Sequence, residues 1–187
     1  MIIAIIIVGV LVIIAVGIGL WLMGCYNGLV PLRQAVKNAW SQIDVQLKRR
    51  HDLIPNLVAT VKGYATHERE TLERVIAARA RATSAASPAE SIKAEGELSS
   101  ALARLLVVTE KYPELKANAN FTSLMEELTS TENRVAYARQ FYNDTVTKYN
   151  TRVQTFPTVI IAASFGFREE PFFEIPGEQK EPPKVEF

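Results

Sequence analysis

The chain opens on an apolar run with no polar break. Ile2 to Leu22 reads IIAIIIVGVLVIIAVGIGLWL, and the first charged side chain is Arg33. Coiled as a helix, that run is about 30 Å long, enough to cross a bilayer core. A buried helix of a soluble protein would show a polar face, and none is written here. Trp21 and Tyr26 fall where an interfacial aromatic belt lies.

From Leu32 the pattern changes. Leu32, Val36, Trp40, Ile43 and Leu47 are spaced three or four apart, then Ile54, Leu57, Val61 and Tyr64, with Leu72 and Val75 further on. That spacing predicts one long helix that opens near Asn27-Gly28 and Pro31 and fades near Arg81. Ser87-Pro88-Ala89-Glu90 reads as a capping box with proline at the first helical position. Ile92, Leu98, Leu102, Leu105 and Leu106 carry a second stripe up to Tyr112-Pro113. A third runs through Phe121, Leu124, Leu128, Thr131, Val135, Ala138, Tyr142, Thr145, Tyr149, Arg152 and Phe156, like a coiled-coil seam. A short apolar piece follows from Val159 to Phe167, then an irregular ending rich in proline and charge. The expectation is all-α: a transmembrane anchor over 1–25, an antiparallel bundle of three to four helices over 26–166, and a tail over 167–187.

Charge orients the anchor. Arg33, Lys37, Lys48, Arg49 and Arg50 all follow it, so the positive-inside rule places the soluble part in the cytoplasm and the N-terminus outside the inner membrane. One alternative competes. Leu22 to Cys25, LMGC, resembles a lipobox, and a lipidated Cys25 would put the domain outside. The run before it lacks a basic start and is long for a signal peptide.

The stretch KRRHDLIPNL, Lys48 to Leu57, concentrates the candidate chemistry. Pro55 removes the hydrogen bond to the carbonyl of His51, so the helix either bends there or ends. The apolar phase is the same on both sides, which favours a bend. Phase also turns Arg50 or His51 toward the interior, where a cation needs a partner; Glu132 and Asp144 are the candidates. Lys48, Arg49, Arg50, His51, Asp52 and Pro55 are therefore read as a register or docking element.

A reaction centre is a weaker reading. His51 and Asp52 diverge by about 100° on a helix. His67 opens HERET without the second histidine of a zinc-protease helix. With one cysteine and two histidines, no metal or other cofactor is expected. A net charge of +1 gives no field suited to nucleic acid.

Tyr26 to Arg79 closely resembles the LemA family, as do FPTVIIAASFGF, PFFEI and the final PPKVEF. The resemblance implies an N-terminal membrane helix, an extracytoplasmic N-terminus and a helical bundle, and carries no catalytic residues. The function expected is a membrane-anchored scaffold or adaptor without catalysis of its own. It would hold lipid through residues 2–22 and self-associate along an uncovered stripe of Val36, Trp40, Ile43 and Leu47. The alternatives are an accessory subunit of another membrane protein, such as a protease or transporter, and an enzyme with an unrecognised site.

Overall fold

The computed structural model describes residues 1–65 and 67–174. Those residues form six helices and no strand: α1 (Ile2–Lys62), α2 (Arg69–Ser84), α3 (Pro88–Thr109), α4 (Pro113–Lys116), α5 (Ala119–Gln154) and α6 (Thr158–Ser164). They group into two compact units. One comprises Met1–Ala39 with Phe141–Glu170, the other Trp40–Gln140 with residues 171–174.

The second unit is a helical bundle. Its α2 and α3 run antiparallel: Arg81 Nε donates to Glu97 at 2.8 Å near one end, and the Tyr112 hydroxyl meets Glu68 at 3.5 Å near the other. The α1 and α5 portions also oppose each other. Asn118, just before α5, donates to the Tyr64 hydroxyl at 2.9 Å, while Arg50 reaches Glu132 at 3.2 Å. Ile54, Leu57, Val61, Leu72, Val75, Leu98 and Leu105 share one core. Each such side chain contributes about 1.5–3 kcal/mol when fully withdrawn from water.

Two expected boundaries move. Asn27, Gly28 and Pro31 lie inside α1 and start nothing. Neighbouring Cys25 and Leu29 are buried in the first unit, and that packing outweighs the poor helix propensity of glycine and proline. At the other end, α1 stops at Lys62 and does not run on to Arg81. Gly63 follows, and the chain turns with Tyr64 N–H and Ala65 N–H both donating to the carbonyl of Val61. Val61, Ala65, Leu72 and Val75 are all buried, so helical spacing survives across a true reversal. Preserved phase is thus no evidence against a turn. At Pro55 the helix does continue.

The capping box before α3 forms in part. Ser87 Oγ accepts from the Glu90 N–H, but the Glu90 carboxylate accepts from the Ala86 N–H rather than from that of Ser87. The α5 seam holds at Phe121, Leu128, Thr131, Val135 and Tyr142, then slips at some positions while keeping Tyr149. Val146 and Val153 are buried where Thr145 and Arg152 were expected, and Phe156 is 76% exposed. A straight helix at 3.6 residues per turn drifts about 20° per heptad off a strict seven-residue repeat, in this direction.

In the first unit the segment after α6 is fixed in place. Phe165 caps α6, Gly166 takes φ +71°, and Phe167 N–H returns to the carbonyl of Ala162 at 2.9 Å. This is a Schellman ending, and glycine supplies the left-handed residue it requires. Asn150 then holds Glu170 by both its main-chain groups: its amide donates to the Glu170 carbonyl and its side-chain oxygen accepts the Glu170 N–H, each at 2.9 Å. In the second unit the Phe173 ring packs 6.0 Å from that of Trp40. The opening of the expected tail is therefore irregular but docked, with Phe167 and Phe173 buried. The rest of that tail lies outside the described residues.

Tyr142 illustrates the cost of that burial. Withdrawal from water, and secondarily the Glu170 carboxylate, push its phenol from the usual 10 up to about 12. Tyr149 is raised for the same reasons, with Arg33 opposing. The folded state holds the Tyr142 proton more tightly than the unfolded chain does. Its stability contribution is therefore complete below about pH 10 and lost on the way to about pH 12. We predict that denaturation free energy falls by about 2–3 kcal/mol over this window through Tyr142 alone, and that Tyr142→Phe removes that part of the fall. An unchanged pH slope in the variant would refute the assignment.

Candidate functional site

The polar cluster of the second unit is built on α1 just before Pro55. Helical phase turns Arg50 and His51 both inward, where they are 3% and 8% exposed. Opposite them stands Glu95 of α3, 1% exposed. Its two carboxylate oxygens are divided: Oε2 takes Arg50 Nη1 at 3.2 Å, and Oε1 meets His51 Nε2 at 2.5 Å. Arg50 Nη2 donates to Ser99 Oγ at 2.9 Å and pairs with Glu132 of α5 at 3.2 Å. One guanidinium thereby ties α1, α3 and α5 together. Arg50 Nε and the side-chain oxygen of Gln46, one turn away, are buried without a hydrogen-bond partner among the described residues.

Pro55 contributes a second requirement. Without its N–H, the carbonyl of His51 loses its helical donor. Arg79 of α2 takes that place, with its Nε 2.7 Å from the His51 oxygen. The proline gap in one helix is closed by a side chain of the next.

Beside the cluster is a notch of about 310 Å³, lined by Asp44, Lys48, His51, Asp52, Thr83 and Ser91 among others. The structure thus brings Lys48, His51 and Asp52 to one surface feature and buries Arg50 behind it. Arg49 and Pro55 are exposed, and His67 is exposed in the turn before α2. Two nearby hydroxyls are engaged: Ser99 accepts from Arg50, and Thr83 Oγ1 donates to the carbonyls of Arg79 and Ala80. Such an arrangement ties α1 to α3 and α5 through side-chain bonds. No group of three or more potential metal-ligating side chains is gathered among the described residues.

The expected partners of the inward cation need correction. Glu132 does pair with Arg50, but Asp144 is exposed and the principal partner is Glu95. The spacing carried a signal for it. Glu95 lies three residues after Ile92 and three before Leu98, on the buried stripe of α3, where a lone carboxylate calls for a cation. Arg79 had no such signal, because spacing shows which carbonyl is freed but not which side chain reaches it. The stripe proposed for self-association is corrected as well. Val36, Ile43 and Leu47 are buried within the chain, and Trp40 is partly covered by Phe173. The Phe173 ring, from the segment after α6, is part of the cover over Trp40.

A family model, that of the LemA family, matches residues 39–187. The chain belongs to the LemA family. Its curated relatives include Magnetosome protein MamQ 2 of Paramagnetospirillum magneticum, 25% identical over 80% of this chain. Protein LemA of Metamycoplasma hominis is 25% identical over 75% of it, and Magnetosome protein MamQ of Magnetospirillum gryphiswaldense 23% over 79%. The chain spans 64% of the length of each of these relatives. The family match includes Arg50, His51, Arg79, Glu95 and Glu132, so the whole cluster lies within the LemA region.

Cutting one member out of a buried charge network leaves the others unpaired, typically at about 3–5 kcal/mol. We predict a loss of that order for Glu95→Ala, measured by denaturant unfolding. Arg79→Ala should cost less, about 1–3 kcal/mol, the penalty for one stranded carbonyl. If Arg79→Ala matched wild type, water would be an adequate substitute and the splint across Pro55 would be of no consequence.

Proposed function

We propose that this LemA-family chain is a membrane-anchored helical scaffold or adaptor, without catalysis of its own, that self-associates or docks a partner. The observation that carries this reading is α1. Its first part is long and apolar enough to span a bilayer, and none of its most apolar window is buried by the rest of the chain. The same helix then enters a packed bundle without a break, through buried Leu29, Val36, Ile43 and Leu47. A bundle joined to its anchor by one continuous helix suits holding something at a membrane. The buried cluster supports the reading too, since its charges are engaged with one another and fix register.

In this proposal the soluble part faces the cytoplasm, because the cations beyond the span begin with Arg33 and Lys37. Cys25 remains a thiol, packed at 6% exposure within α1. Self-association, with the Val36–Leu47 stripe already covered, would use other surfaces.

Cross-linking at native abundance in the source membranes, followed by mild detergent purification and mass spectrometry, tests this. The expected outcome is dimers or larger species of this chain with an unmodified Cys25. Monomers alone would refute self-association. One dominant foreign protein in fixed ratio would favour the accessory-subunit alternative. A diacylated Cys25 at the mature N-terminus would reverse the topology.

A further inference from the structure

The first unit carries a second apolar element besides the anchor. Val153 to Phe167 contains no charged residue, and Arg152 and Arg168 bracket it. Within this run α6 buries Thr158, Ile161 and Ala162 against its own unit. The opposite side should then be polar, as on an ordinary surface helix. Instead it presents Phe156 at 76%, Ile160 at 59% and Phe165 at 59% exposure, with Val159 beside them. Scattered exposed apolar residues are common, but four within ten positions and without a charge concentrate apolar surface in and beside one short helix.

The level of this patch along α1 decides its occupant. The Phe165 ring stacks edge-on against Tyr26 at 5.2 Å between centroids. Tyr26 is four residues beyond Leu22, where the apolar run ends, which is about 6 Å along the helix. A bilayer's hydrocarbon core of about 30 Å widens to about 40–45 Å with both head-group layers, leaving about 5–8 Å per side. Phe165 therefore sits at head-group depth whenever the preceding span crosses the core. Further along α1, Arg33 lies over the Phe167 ring at 4.5 Å; eleven residues beyond Leu22, about 16 Å along the helix, it stands on the water side of the head-group layer. Aromatic rings and flanking arginines are the composition that head-group layers favour.

We propose that α6 is an interfacial membrane element: its outer face, Phe156, Val159, Ile160 and Phe165, inserts into the head-group layer beside the emerging α1. The inference rests on the reading of residues 2–22 as a membrane span. α6 acts as a float. A span alone leaves the protein free to tilt, whereas a second contact on an adjacent element fixes the inclination of the first unit to the membrane plane. The Schellman turn at Gly166 and the Asn150 clamp on Glu170 hold α6 in position for this.

Depth-dependent quenching tests it in the full chain reconstituted into phosphatidylcholine and phosphatidylglycerol vesicles. In a Cys25→Ser background, Phe156→Cys and Ile160→Cys are labelled separately with NBD, as is Leu11→Cys within the span. All three positions are exposed, so the label displaces no core residue. The expected result is loss of fluorescence at 156 and 160 with lipids carrying a nitroxide near the head group, and at 11 with a deep nitroxide. Quenching at 11 with none at either 156 or 160 would overturn the proposal while leaving the span intact. No quenching at 11 would remove the span and this inference with it. Unquenched labels at 156 and 160 that instead cross-link between copies would assign the face to a second copy of this chain, which also overturns the proposal.

Discussion

Glu95 is the residue around which the second unit is organised. A carboxylate removed almost entirely from water is costly, and only close cations and donors offset that cost. Both of its oxygens are used, one by Arg50 and one by His51, and both of those side chains come from α1. The geometry closes only if α1 and α3 meet at a single rotation and a single height. Arg50 then extends the demand to α5 through Glu132. Apolar stripes alone would allow slippage by a turn at little cost, because one leucine packs much like another. A slip by one turn would break the bonds of Glu95 to Arg50 and His51, so the charge network disfavours it.

A single helix, α1, joins an exposed apolar part to a part packed within the bundle. The first part, long and apolar enough to span a bilayer, keeps its side chains exposed, while the later part turns one stripe inward and leaves charges outside. Gly28 and Pro31 stand near this change and would be expected to break it. The helix survives because backbone bonds are cheapest when kept internal and because Leu29 is fully buried.

Much of this was legible in the residues. The apolar run and the 3–4 spacing specify helices, since few other structures place side chains on one face at those intervals. Phase turned Arg50 or His51 inward, and the structure buries both. What phase could not tell was whether the chain had reversed. Val61 to Val75 keeps its spacing through a turn, because the four-residue step from Val61 to Ala65 and the next seven-residue step mimic helical intervals. Gly63 was the better signal, being a residue that ends helices. Glu95 was visible as a charge on an apolar stripe, whereas the reach of Arg79 to a carbonyl 28 positions earlier is a tertiary fact. The cover over Trp40 depends on the return of Phe173, which is not written in the stripe itself.

The bond from Arg79 to the His51 carbonyl also has a meaning for local opening. A long helix normally frays from its ends, and its middle exchanges amide hydrogens only when the whole domain unfolds. Here the middle has a gap that α2 closes. When α2 detaches, the carbonyl of His51 is open to water and α1 loses its brace at Pro55. Motion of a short outer helix is thereby passed to the centre of the longest one. The most pliable point of α1 is then set by the occupancy of a neighbouring hairpin and not by its distance from either end.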